Sequence, residues 1–252
     1  MTVPIELLYG RQAVRETLRA GRRKIHKILI AEGTQEKGIV AEILSAAQER
    51  GIPCIQAKRE KLEKVSGGAN HQGLAAEVSP YPYAEFDSLP SARPGETPLL
   101  LLLDELQDPQ NLGSILRTAE AIGANGIIIP ERRAVGVTPA VVHVSAGAAE
   151  HLRVARVKNL VRAIESLKER RIWVFGLENV PDAQIYTQAD LAVPLALVIG
   201  SEGTGLRRLV REKCDLLLRL PMRGRVSSLN AAVATSIVLY EVLRQRGEKT
   251  TD

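Results

Sequence analysis

The sequence predicts an α/β fold: a parallel sheet covered by helices over residues 99–252, preceded by a small α/β domain over residues 1–79. Three observations predict it. In the second part, short and almost wholly apolar runs alternate with amphipathic runs, as in strands buried on both faces between helices. In the first part, helical and strand patterns also alternate, over fewer elements. Between them the segment SPYPYAEFDSLPSARPGETP carries Pro80, Pro82, Pro90, Pro94 and Pro98, a density that blocks helices and sheet ladders. We read residues 80–98 as a linker, longer than the usual loop inside a compact domain.

In the first domain, residues 12–18 carry a helical pattern and 27–30 a strand pattern. Residues 39–50 form an amphipathic run with Gly51 just past its end, the expected helix stop. Strands are expected at 52–56 and 74–78. Arg11, Arg15, Arg19, Arg22, Arg23, Lys24 and Lys27 crowd one stretch whose only acid is Glu16. A helix would align Arg11, Arg15, Arg19 and Arg22 on one face. That face is either solvated or a phosphate-contacting patch.

In the second domain, strands are expected at 99–104, 127–129, 172–175, 195–199 and 216–220. Helices are expected at 111–122, 159–170, 206–213 and 229–244, the first closed by Gly123. No internal repeat or low-complexity tract is visible.

Composition narrows the function classes. A net charge of +5 is compatible with a nucleic-acid partner. Aromatic residues make up only 3%, which argues against recognition by stacking bases on an aromatic platform. Cys54 and Cys214 lie far apart without a CxxC, and are expected as two buried thiols. The histidines His26, His71, His143 and His151 form no HxxxH or HExxH array, so no metal site is expected. No signal peptide and no run of about 18 apolar residues is present, so the expected location is the cytoplasm, away from membranes.

Ligands of an open parallel sheet collect at the carboxyl ends of its strands. Three segments there stand out. The first, DPQNLGSILRTAE, starts at Asp108 and places Asn111 at a helix entrance, where it could serve as a cap. Arg117 and Glu120 share a face of that helix, and a partly buried Arg117 would need an anionic partner. The second, GSEGTG from Gly200 to Gly205, has G-x-x-G-x-G spacing. That is neither a dinucleotide fingerprint nor a P-loop, and it holds Glu202 in its middle. The third, LPMRGRVSSLN from Leu220 to Asn230, sets Arg223 and Arg225 beside Ser227, Ser228 and Asn230, which suits a phosphate or a ribose hydroxyl.

Together these segments resemble the three motifs of the SpoU/TrmH methyltransferases, the ribose-methylating branch of the SPOUT class. The resemblance covers residues 99–246, and the segments run N-L-G-S-I-L-R-T-A-E-A, I-G-S-E-G-T-G-L and L-P-M followed by S-S-L-N-A-A-V-A. Upstream, Leu8, Tyr9, Gly10 and Arg11, with Ala13 and Val14, and then His71, Gln72 and Gly73, resemble the L30e-like substrate-binding domain of large-subunit rRNA guanosine methyltransferases. One departure is Asn230-Ala-Ala-Val, where many relatives read N-V-S-V.

The resemblance implies a trefoil knot in the C-terminal part, a homodimer, and S-adenosylmethionine held largely by backbone groups, at positions matching Gly200, Leu220 and Leu229. It implies Asn111, Arg117, Glu202, Ser228 and Asn230 around the reacting ribose. The implied reaction is methyl transfer to the ribose 2′-hydroxyl of a nucleotide in 23S rRNA, guanosine being the expected base. Alternatives are the same chemistry on tRNA or on an rRNA adenosine, a catalytically silent RNA-binding assembly factor, and a nicotinamide oxidoreductase, the last opposed by the glycine spacing.

Overall fold

A computed structural model describes residues 4–90, 96–201 and 203–248. In chain order its elements begin with β1 (Glu6–Tyr9), α1 (Arg11–Ala20), β2 (Ile25–Ala31), α2 (Ile39–Glu49), β3 (Cys54–Ala57), α3 (Arg59–Val65) and β4 (Leu74–Val78). They continue with β5 (Leu99–Leu103), α4 (Pro109–Ala121), β6 (Gly126–Pro130), α5 (Pro139–Val144), β7 (Val154–Val157) and α6 (Leu160–Glu169). The last are β8 (Trp173–Leu177), β9 (Gln184–Ile185), β10 (Leu195–Ile199), α7 (Arg208–Lys213), β11 (Leu216–Arg219) and α8 (Ala231–Glu248).

Contacts divide the chain into two compact units, Met1–Pro82 with Val137–His151, and Tyr83–Gly136 with Leu152–Asp252. The sequence reading placed 137–151 with the second domain. In the structure α5 packs instead on β1. Thr138 caps α5 by accepting from Val141 N, and Pro139 opens the helix. Gly10 sits against this segment with φ 95°, and a Cβ there would lie 2.7 Å from His143 Nδ1, so only glycine fits.

The first unit holds a four-stranded sheet in the order β1-β4-β2-β3, antiparallel except for the β2–β3 pair. The arginines on α1 and just after it are engaged within it. Arg15 and Arg19 both pair with Glu16 and Glu42. Arg11 Nε donates to the carbonyl of Gln72 at 2.9 Å. Arg22 donates to the carbonyls of Glu150 and Pro82. The Arg23 side chain is fully buried between Glu6 at 2.7 Å and the equally buried Glu150 at 3.1 Å. Burial pushes the Glu150 carboxyl above its ordinary range, against the pull of Arg23 and Arg22 and with a further push from Glu6. The cations of this face are thus engaged by the unit's own acids and carbonyls, from the buried Arg23 to the half-exposed Arg19.

The second unit is a seven-stranded sheet in the order β7-β6-β5-β10-β8-β11-β9, parallel at every pairing. The central strands β5 and β10 are buried throughout, which explains their unbroken apolar sequences. Of the proline-rich stretch, 80–90 and 96–98 are described, and 91–95 lie outside the described residues. Tyr81 and Leu89 are buried, Leu89 among Leu100, Leu102 and Ile128. Both cysteines are free, but Cys54 is exposed and Cys214 half-buried, which corrects the expectation of two buried thiols. Burial and the neighbouring Asp215 push the Cys214 thiol to about 12, so it stays protonated at neutral pH.

Candidate active site

The carboxyl ends of β8, β10 and β11 meet around a cavity of about 590 Å³. Gly200 lies in its wall, just past β10. A Cβ on Gly200 would meet the carbonyl carbon of Gly205 at 2.3 Å, so the loop can double back this tightly only on glycine. Ser201 and Gly205 exchange backbone hydrogen bonds at 3.2 and 3.1 Å, and Ser201 Oγ lies 2.6 Å from Thr204 Oγ1. The exit of the loop is pinned from outside. Arg207 donates from its backbone N, Nε and Nη2 to the buried carboxylate of Asp104 at the end of β5.

The chain after β11 forms the opposite wall, with Leu220, Ser228, Leu229 and Asn230. Asn230 Oδ1 accepts from Ala232 N and Val233 N, capping α8, while its Nδ2 donates to Asn111 Oδ1 at 2.8 Å. Asn111 is buried and donates to Asp108 Oδ2. The reading of Asn111 as a helix cap is corrected. Asp108 caps α4, accepting from Gln110 N ahead of Pro109, and Asn111 is the third helical residue. A chain of side chains thus ties the start of α4 to the start of α8, and Thr118 and Ser236 hydroxyls 3.0 Å apart tie the two helices again further along.

Gly200, Leu220, Leu229, Ser228 and Asn230 therefore share one cavity, and Asn111 reaches it through Asn230. Arg117 does not line it. It is exposed on α4 with no hydrogen bond or ion pair among the described residues, so neither its expected burial nor a pairing with Glu120 holds. Glu202 lies outside the described residues. Arg223 and Arg225 are exposed and do not line the cavity.

Sequence reasoning missed Glu178, Asn179 and Val180, which follow β8 and line the cavity. The rule that points to strand ends would have found them. Glu178 Oε2 is buried without a hydrogen-bond partner, and Asn179 Nδ2 donates to the carbonyl of Ser227.

The site suits S-adenosylmethionine on these observations. Its volume falls in the range of about 300–1,000 Å³ typical of small-molecule pockets. Leu177, Val180, Leu220, Met222 and Leu229 offer apolar surface, and the 200–205 turn offers backbone at close range. The orphaned Glu178 oxygen is an acceptor for a hydroxyl or ammonium group.

Comparison with known proteins agrees. Residues 98–240 match the SpoU rRNA Methylase family, and residues 7–84 match the RNA 2′-O ribose methyltransferase substrate binding domain. A putative TrmH family tRNA/rRNA methyltransferase of Bacillus subtilis, YacO, is 49% identical over 96% of each chain. The crystal structure of the SpoU methyltransferase AviRb from Streptomyces viridochromogenes, in complex with the cofactor AdoMet (S-adenosylmethionine), superposes with a TM-score of 0.81. It is 28% identical and covers 95% of this chain and 89% of its own. A structure concerned with 2-OH methylation of C/U34 on tRNA is 27% identical with a TM-score of 0.54, and 97% of it is spanned by 60% of this chain. The two-loop cavity, the tied helices and these matches together make the chain a member of the SpoU methylase family, an S-adenosylmethionine-dependent RNA methyltransferase.

Proposed function

We propose that this enzyme methylates the ribose 2′-hydroxyl of a guanosine in large-subunit 23S rRNA. The observation that carries the reading is the single cavity that gathers the 200–205 turn and the 220–230 segment and is tied to α4 through Asn111. The match of residues 7–84 to a substrate-binding domain favours rRNA. The tRNA-acting neighbour is spanned almost whole by 60% of this chain and so offers no counterpart to the rest.

S-adenosylmethionine supplies a methyl group already bonded to a good leaving group. The protein must then hold the acceptor oxygen about 3–3.5 Å from the methyl carbon and support its growing charge. Gly200, Leu220 and Leu229 would hold the cofactor, largely through backbone. Ser228 and Asn230 would shape the ribose side of the pocket, Asn230 being held in one orientation by its cap and by Asn111. Arg117 would bind the phosphate of the target nucleotide and stabilise the developing alkoxide, because a guanidinium holds its proton at any physiological pH. Its exposure and its lack of a partner among the described residues support that role. Glu202 would orient the hydroxyl.

The reading includes two features of assembly. The C-terminal chain is knotted, and the protein is a cytoplasmic homodimer. Along α8, Val233, Ile237, Tyr240 and Leu243 are exposed at helical spacing, an apolar stripe suited to a second copy. The first domain, residues 1–79, grips RNA, and the domain from 99 onward performs the transfer.

The test is transfer of labelled methyl from S-adenosylmethionine to unmodified large-subunit rRNA, with total tRNA in parallel and the site mapped by alkali resistance. One alkali-resistant guanosine in rRNA is the expected result. Label confined to tRNA overturns the target, and absence of cofactor binding overturns the chemistry.

A further inference from the structure

The carboxyl edge of the parallel sheet carries a second hollow, of about 740 Å³, beyond β5 on the side of β6 and β7. Five cations line it, Arg132, Arg133, Lys158, Arg207 and Arg208, with Glu105 as the one acid. The cations come from three different segments, after β6, β7 and β10, and Glu105 follows β5.

The charge is only partly cancelled internally. Arg207 is spent on Asp104 and Glu105. Arg208 pairs with Glu212, and Arg133 lies 3.6 Å from the same Glu105. Arg132 and Lys158 are exposed and have no hydrogen bond or ion pair among the described residues. The first turn of α6, at Leu160 and Val161, also lines the hollow and adds the positive end of a helix dipole. Pro130, Leu160, Val161, Leu209 and Val210 also line the hollow, but five cations against one acid suit a polyanion better than a neutral ligand.

Its position says which polyanion. β5 and β10 are neighbours, so the hollow and the methyl-transfer cavity occupy adjacent stretches of one sheet edge. The 200–207 loop belongs to both: Gly203 to Gly205 line the cavity, and Arg207 lines the hollow. A strand whose target ribose enters the cavity can place its neighbouring phosphates along this edge.

We propose that this hollow is the track for the phosphodiester backbone flanking the target nucleotide, with Arg132 and Lys158 as its phosphate contacts. The inference rests on the methyl-transfer reading and deepens it. Phosphate contacts position a substrate without reading its sequence.

The test is the double variant Arg132→Gln/Lys158→Gln, whose side chains have no hydrogen bond or ion pair among the described residues. Binding of an unmodified large-subunit rRNA transcript is measured across a salt series, alongside calorimetric titration of S-adenosylmethionine and methyl-transfer kinetics. Each lost contact should lower the slope of log K against log [salt] by about 0.7–0.9, so the pair should lower it by roughly 1.5. RNA affinity should fall roughly tenfold at low salt, with KM for RNA raised, kcat retained and cofactor affinity unchanged. Arg171→Asn removes one exposed charge from the opposite edge of the same unit, before β8, and should change none of these. An unchanged salt slope in the double variant overturns the track. So does an equal loss from Arg171→Asn, which would reduce the effect to net charge. If the parent binds rRNA and loses affinity in the double variant but transfers no methyl group, the track stands and the proposed reaction falls.

Discussion

Two regions of this molecule are rich in arginine, and they put it to opposite uses. Over residues 11–27, on and just after α1, the cations are clustered in sequence and nearly all engaged. Arg15 and Arg19 share Glu16 and Glu42, and Arg23 is sealed between Glu6 and Glu150. At the sheet edge the cations are scattered over some 75 positions, from Arg132 to Arg208, and two of the five lack any partner among the described residues. Density of charge along a chain therefore says little about affinity for RNA. What counts is whether an acid of the same fold has already taken the charge, since a cation held in an ion pair must give it up before it can neutralise a phosphate.

The largest test of this contrast is Arg23→Ala. It strands the buried Glu150 carboxylate, and removing one member of a buried pair costs about 3–5 kcal/mol. Urea unfolding should show a loss of that size, and a change under about 1 kcal/mol would mean that Arg23 is not a fastening. Arg117→Lys comes next. Arg117, on α4, has no partner among the described residues, and losing its planar fork should lower kcat by about 10²-fold with cofactor affinity retained, a loss of about 2.7 kcal/mol. Near-parental turnover would remove Arg117 from the reaction.

A pH series sharpens the same contrast. Burial raises the Glu150 carboxyl in the folded state, so the native protein holds this proton more tightly than the unfolded chain does. Its contribution to stability is present below the ordinary carboxylate pKa and is lost as pH rises through the raised folded value. Glu150→Gln should remove that part of the pH dependence of urea stability over the interval just above the ordinary value. An identical pH profile in parent and variant would contradict the assigned burial effect. The smallest effects are expected at Arg15→Gln and Arg19→Gln, exposed or half-exposed pairs worth about 0.2–1 kcal/mol each. Neither should alter the salt slope of RNA binding, whereas Arg132 and Lys158 should. A slope change at Arg15 or Arg19 would restore α1 as an RNA face.

Legibility from sequence followed how local each signal was. The strands at 99–103 and 195–199 were readable because a strand buried on both faces is apolar throughout. β7, Val-Ala-Arg-Val at the sheet margin, mixes a charge into four residues and gave no pattern to read. α5 has six residues, too few for helical periodicity to show. Glycines at 200–205 and the Ser and Asn residues of 227–230 were visible as odd segments after strands, and they do gather at one cavity. Glu178 was not, because one acid after a strand carries no pattern of its own.

The sequence by itself determined the long and strongly patterned strands and helices, where the glycine turn falls, and which family the chain joins, since propensity, periodicity and motif spacing are properties of neighbouring residues. Tertiary structure alone decided which residues are partners. Asn230 meets Asn111 across 119 positions, and Arg22 meets the Glu150 carbonyl across 128. The physical reason is that burying a polar or charged group is costly unless a partner reaches it, and folding brings those partners together from anywhere in the chain. That decided which arginines are fastenings and which remain free for an external phosphate.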